Sequence, residues 1–318
     1  MALKIKSLEE HSRPLGLDEV RVKEMGNIVE LMYSERTNHK ILIKKISDTE
    51  YIDLRTGEIK QCNKIDNRAD NFNSVRQSLG RLRDLLNTNI TDTSKCRWVT
   101  LTYEENMTDP KRLYEDFKKF NMRMRYNGFK YEYIVCMEPQ GRGAWHAHLV
   151  MIFDDKAPYI KNDSKDPNEL TMEKMWGHGY TKTKKLEDVD NVGAYLTAYL
   201  GDMDMTEYKN LSDEEKNQMK IFGIKDVEVD GVSKSILKGA RLHMYPPKFN
   251  LYRCSRGIKK PIVSYQLEEE AQKKVSAATL TFEKTIEISD TDSQFSNKIN
   301  YRHYNLIRTE KQVKEPIL

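Results

Sequence analysis

Glu138, His146, His148, Tyr195 and Tyr199 are the side chains of this 318-residue sequence whose types and spacing could do chemistry together. His146 and His148 stand one residue apart in AWHAHLVMIF, residues 144 to 153, an apolar run that reads as a strand. Strand side chains alternate, so both imidazoles share one face, with Val150 and Ile152 beyond them. Glu138 closes the preceding strand, YEYIVCME. It stands across from His146 if the connecting loop has an odd number of residues, as Gln140 to Ala144 permits; an even loop turns it to the other face. In the first case two neutral imidazoles and one carboxylate share a sheet surface. Such a set, with open positions, suits Mn²⁺ or Mg²⁺ and leaves room for a phosphate oxygen, and zinc also fits the ligand types. Tyr195 and Tyr199 lie four residues apart in NVGAYLTAYLGD, which reads as a helix capped by Asp190 or Asn191, and so occupy one face of it. A phenol with a pKa of about 10 attacks poorly at neutral pH unless a cation stabilises the charge that develops. Taken singly, each feature has a plainer explanation: a half-buried strand histidine, or a core tyrosine with its hydroxyl at the rim.

The elements that must position these groups follow from pattern. RWVTLTY (97 to 103) alternates as a strand, and Asp109-Pro110 opens a helix with Leu113, Phe117, Phe120 and Met124 on one stripe. The Glu138 and histidine strands come next. Asp166-Pro167 then opens a helix running through Trp176, and GYTKTKKL (179 to 186) is a further strand. This order, βαββαβ, predicts an α+β fold with a ferredoxin-like antiparallel sheet, helices on one face and the metal site on the other. Upstream, short strands are expected from Val20 to Ile59, and Asn71 to Asn87 reads as a helix with Val75, Leu79, Leu82 and Leu86 on one stripe and Arg76, Arg81 and Arg83 off it. Residues 266 to 274 read as a charged helix, and the segment after Asp290 as a poorly ordered tail.

The net charge of +4 is too small to name a partner, but its distribution is uneven. Asp202 to Asp230 holds nine acidic residues against four lysines, a solvated stretch, whereas Lys238 to Lys260 holds seven Lys/Arg and no acid. In that strip Lys238, Arg241, Lys248, Arg253, Arg256, Lys259 and Lys260 interleave with Tyr245, Phe249 and Tyr252, a mixture that can follow a phosphate backbone while stacking bases. The plainer alternative buries the aromatics and leaves the charges solvated. Four dispersed cysteines without a C-x-x-C pair argue against a zinc knuckle or a disulfide framework and for a reducing, cytoplasmic setting. An apolar leader and a membrane-spanning run are both missing from the pattern.

Three motifs in order, the T-L-T of RWVTLTY, the H-x-H of WHAHLV and the Y-x-x-x-Y of YLTAYL, are similar to those of HUH endonucleases. With EPQGRGAWHAHLV, WGHGYTK and RLHMYPPKFNLYRCSRGIKKP, residues 95 to 261 resemble the rolling-circle replication initiators of plasmids and small single-stranded-DNA phages. The resemblance implies a divalent ion on Glu138, His146 and His148, a nucleophilic Tyr195 with Tyr199 as second tyrosine, single-stranded or hairpin origin DNA as substrate, and host helicase and polymerase as partners. Many members carry a lysine between the tyrosines, where this sequence has Ala198; Lys182 or Lys184 on the neighbouring strand could take its place. With Arg241, Lys248, Arg253, Arg256, Lys259 and Lys260, these two lysines make up the expected DNA contacts. The implied division is an N-terminal strand-rich extension with a basic helix (1–92), an endonuclease core (93–262) and a C-terminal helix and tail (263–318). A conjugative relaxase or transposase would share the chemistry, and a P-loop, which could mark a fused helicase, does not occur. The rival of a different kind is a non-catalytic origin- or RNA-binding protein on the same sheet.

Overall fold

A computed structural model describes residues 4–37, 41–186, 193, 197, 200–229, 232–290 and 295–307. The protein is α+β with antiparallel sheets, in two compact units: 24–28 with 67–262, and 1–23 with 29–66 and 263–309.

The first unit is built on five strands, β1 (Cys96–Thr102), β2 (Glu132–Pro139), β3 (Trp145–Ile152), β4 (Thr181–Lys184) and β5 (Tyr252–Cys254). Their spatial order is β4-β1-β3-β2-β5, and every neighbouring pair is antiparallel. Three helices accompany them: α1 (Phe72–Asn89), α2 (Pro110–Tyr126) and α3 (Met172–Trp176). Asp109 caps α2 by accepting from the Lys111 N–H at 2.8 Å, and Pro110 fills the first turn, where an N–H would have no helical acceptor.

Side-chain alternation divides the sheet into two faces. Val99, Leu101, Val135, Met137, Ala147, Leu149 and Met151 pack under α2 and α3, against Phe117, Phe120, Met175 and Trp176. Ile134, Cys136 and Val150 point the other way, and Leu82 and Leu86 of α1 cover them. The expectation that all helices lie on one face is therefore corrected. Three apolar residues on the far face would otherwise meet water, and the Leu82/Leu86 stripe of α1 needs a partner, so burying the two together stabilises both.

A second correction concerns α3, which starts at Met172 rather than at Asp166. The Lys174 Nζ donates to the carbonyls of Asp166, Pro167 and Glu169 at 2.9, 2.8 and 2.6 Å, and the Asp166 carboxylate accepts from the Asn168 N–H at 2.9 Å. These bonds hold 166–170 as turns, and Thr171 becomes the cap by accepting from the Lys174 N–H at 3.3 Å.

The second unit centres on a six-stranded sheet in the order Lys4–Leu8, Thr279–Asp290, Phe295–Asn305, Ile28–Ser34, Glu19–Met25, Ile262–Leu267. The helix Glu268–Lys274 packs on it through Ala271, beside Val20, Val22, Val29, Leu31 and Tyr304. Residues 295–305, read from the sequence as tail, form an inner strand of this sheet. A cut at 92 and another at 262 separate chain segments that this sheet joins, and α1 belongs with the five-stranded unit.

Candidate metal and DNA site

The loop between β2 and β3 has five residues, Gln140 to Ala144, closed by Gln140 N–H donating to the Ala144 carbonyl at 2.7 Å. The strand register follows: Glu138 pairs with His146 and Cys136 with His148, while on the other side of β3 Thr102 pairs with His146 and Thr100 with His148. Paired residues of an antiparallel ladder point to the same side, so one surface carries Glu138, His146, His148, Thr100 and Thr102. Lys182 pairs with Thr100 and Lys184 with Trp98, which brings both lysines onto this face, exposed, at the edge strand.

The donor atoms converge. His146 Nε2 and His148 Nε2 are 2.8 Å apart, and Glu138 Oε2 is 3.9 and 3.5 Å from them. Two imidazole nitrogens bound side by side to one ion at about 2.0–2.1 Å would stand roughly 3 Å apart, so this set fits a divalent cation. Its surroundings fit as well. Thr100 Oγ1 lies 3.3 Å from His148 Nδ1; with Nδ1–H donating to it, Nε2 carries the lone pair a metal needs. The other oxygen of Glu138, Oε1, accepts from the Gly201 N–H at 3.2 Å and from Arg241 at 3.3 Å, leaving Oε2 to face the histidines. Trp98 stacks on the His148 ring, with centroids 5.2 Å apart. His146 Nδ1 is buried with no hydrogen-bond partner among the described residues.

Burial shapes the titration of these groups. Glu138 is 6% exposed and His146 7%. Burial opposes the Glu138 charge, but the His148 hydrogen bond and the positive charges of His148, His146 and Arg241 outweigh it and hold the carboxyl below its ordinary range. For His146, burial and then the charge of His148 depress the pKa to about 3. The unfolded imidazole takes up a proton near 6.5, while the folded one refuses it down to about 3, so folding stability is lost as pH falls through that window. Thermal melts in chelator between pH 7 and 4 are expected to show a shallower fall for His146→Gln than for the native chain.

Tyr195 and Tyr199, with Ala198 and the expected caps Asp190 and Asn191, lie outside the described residues. The positions around the tyrosines are anchored. Gly193 and Thr197 are helical, with the Thr197 hydroxyl donating to the Gly193 carbonyl at 2.8 Å. The Gly193 N–H donates to Asn87 Oδ1 of α1 at 2.7 Å, an approach so close that a Cβ at 193 would come within 2.4 Å of the Arg83 carbonyl oxygen. At the other end Gly201 reaches Glu138, as above, with φ of 77°, a left-handed conformation that glycine adopts without strain. Both tyrosines thus fall, in sequence, between a contact to α1 and a contact to the carboxylate of the cluster.

The basic strip divides. Tyr245 is 2% exposed and packs with Phe249 against Trp145, so those two aromatics belong to the core rather than to a base-stacking surface. Lys238 pairs with Asp202 at 2.6 Å, and Arg241 turns inward onto Glu138 and Glu207. Arg253 lies 3.5 Å over the Tyr114 ring of α2 and pairs in register with Val135, which points away from the metal-type cluster. Lys248, Arg256, Lys259 and Lys260 have exposed side chains. The backbone at Lys259 is clamped to α1, its N–H donating to Asn89 Oδ1 and its carbonyl accepting from Asn89 Nδ2, both at 2.8 Å. Sequence reasoning found Glu138 and the histidines but missed Arg241, Gly201, Asn87 and Thr100 as parts of this site. Only Thr100 carried a signal, through the alternation of WVTLTY.

No helix among the described residues is long and apolar enough to cross a membrane. Neither a curated protein nor a solved structure matches the chain. Residues 96–204, which run from the start of β1 past Glu138, His146, His148 and Gly201, match the model of a family described as replication-associated protein ORF2, and that match supports a replication-initiator, Rep-like protein.

Proposed function

We propose that the chain is a metal-dependent HUH endonuclease that nicks single-stranded origin DNA through a phosphotyrosine and so begins rolling-circle replication. The observation that carries this reading is the convergence of Glu138, His146 and His148 beside the chain segment that holds Tyr195 and Tyr199. The strand order β4-β1-β3-β2 supports a ferredoxin-like HUH core, and the family match supports the replication context.

Glu138, His146 and His148 would hold the ion, Mn²⁺ or Mg²⁺, which when bound draws charge from the oxygens of a scissile phosphate. The chain's own contribution is positioning. The Tyr195 oxygen forms a bond to phosphorus, the bond from phosphorus to the 3′ oxygen breaks, and that oxygen leaves as a 3′ hydroxyl carrying a proton, with the 5′ phosphate on the tyrosine. Since one phosphodiester replaces another, Tyr199 or a 3′ hydroxyl can reverse the step and close a circle. A non-catalytic DNA- or RNA-binding protein would use the lysines but has no use for a buried carboxylate and two imidazoles within ligand distance of one another.

Lys182 and Lys184 are assigned to the phosphates beside the cluster. Replacing both with Ala is expected to weaken binding to every single strand and to lower the salt slope by about 1.4, from two lost contacts at about 0.7 each. Arg253→Ala, by contrast, should leave the slope unchanged. The reading as a whole is tested by incubating the chain with a labelled random-sequence pool of single strands and Mn²⁺, then denaturing. A shifted, protease-sensitive band is expected; its absence with Mn²⁺, Mg²⁺ and Zn²⁺ alike would leave the binding-protein alternative.

A further inference from the structure

Arg241 stands in the basic strip, where its sequence context assigns it to a DNA backbone, yet its guanidinium faces two carboxylates. NH1 donates to Glu138 Oε1 at 3.3 Å and NH2 to Glu207 Oε2 at 2.6 Å. Its backbone N–H donates to the Gly201 carbonyl at 3.0 Å, and the Gly201 N–H donates to the same Glu138 Oε1 at 3.2 Å. Glu138, Gly201 and Arg241 thus close a hydrogen-bonded ring. Glu207 is seated in turn against Gly141, in the loop that joins the Glu138 strand to the histidine strand: a Cβ at 141 would coincide with the Glu207 carboxylate.

We propose that Arg241 is a positioning residue: it locks the metal-type carboxylate of Glu138 to the Gly201 end of the tyrosine-bearing segment, and Glu207 holds its guanidinium in place. The physical reasons are three. A buried carboxylate with one oxygen committed to Arg241 and Gly201 keeps only the other for a cation, which fixes its orientation. Arg241 is bonded to both carboxylates through separate nitrogens, a task for a planar fork that a lysine ammonium cannot repeat in the same geometry. And because Gly201 is held from both its N–H and its C=O, a shift of the segment is transmitted to Glu138. This rests on the nicking reading, since in a simple binding protein such alignment would serve nothing.

The test uses the full chain and the variants Arg241→Gln, Arg241→Lys and Gly141→Ala. The last leaves the ring residues intact but pushes the flexible end of Glu207 away from its seat, which keeps the test alive if Arg241→Gln folds poorly. In the metal-free protein, amide exchange at Gly201 is expected to speed up at least tenfold in Arg241→Gln and to a lesser degree in Gly141→Ala. At saturating single-stranded DNA and Mn²⁺, adduct formation should slow about 100-fold in Arg241→Gln, without rescue by Arg241→Lys, because misplacement on the order of 1 Å has that effect. DNA affinity and its salt slope should not change. Unaltered Gly201 exchange would overturn the ring. A slope lowered by about 0.7 with the adduct rate intact would return Arg241 to the phosphates. If the native chain forms no adduct, the nicking reading fails, while Gly201 exchange still decides whether the ring exists.

Discussion

Tyr195→Phe is expected to form no covalent DNA adduct in the presence of Mn²⁺, while Tyr199→Phe still cuts and fails in the second transfer that closes a circle. Tyrosines four apart on a helix are separated by about 6 Å along the axis, so only one can stand in line with a given phosphate. The assignment to Tyr195 comes from its correspondence to the first tyrosine of the family motif. Loss of the hydroxyl removes the nucleophile itself, and water in its place lacks the alignment that the chain supplies. The pair of variants, read on a denaturing gel, checks this. Adducts from both would make the tyrosines interchangeable, and an adduct from Tyr195→Phe alone would reverse their roles.

The second large effect is expected at the ligand set. His146→Ala should weaken Mn²⁺ binding, measured by electron paramagnetic resonance on the DNA-free chain, by more than about 100-fold. Changes to groups that merely support a ligand already reach about 10- to 100-fold. Adduct formation should disappear, yet affinity for single strands should stay within about threefold, because phosphate contacts dominate it and the lysines remain. The fold should survive, for His146 Nδ1 is a buried polar atom without a hydrogen bond among the described residues, and removing it relieves a cost that offsets part of the lost packing. Undiminished Mn²⁺ binding would place the ion elsewhere.

The sheet that carries this site was legible because its signals are local and periodic. WVTLTY, YEYIVCME and WHAHLVMIF alternate with apolar residues on the α2 and α3 side, and the five-residue loop leaves Glu138 facing His146. Asp109-Pro110 likewise marks the start of α2. What was not legible depends on contacts distant in sequence. That α1 covers the site face follows from Leu82 and Leu86 meeting Ile134, Cys136 and Val150, and no pattern within either segment specifies the meeting. Residues 295–305 look like tail because their buried positions include Asn297, Asn300, Arg302 and His303. Arg302 is satisfied by Glu268, at 2.5 and 2.8 Å, and Asn300 donates to Thr285 Oγ1 at 3.0 Å, so a strand with polar buried positions sits inside a sheet. Arg241 was misjudged for a related reason. In GARLHMYPPK it is one cation among several, and only the approach of Glu138 and Glu207 turns it inward.

The most direct measurement is the site of attachment. After reaction with the single-stranded pool and Mn²⁺, nuclease trimming and proteolysis, mass spectrometry of the adduct peptide should find the nucleotide phosphate on Tyr195, with no such peptide when chelator replaces the ion. A phosphate carried outside the Tyr195 to Tyr199 segment, or the same adduct formed equally in chelator, would contradict a tyrosine nucleophile served by the Glu138, His146 and His148 cluster.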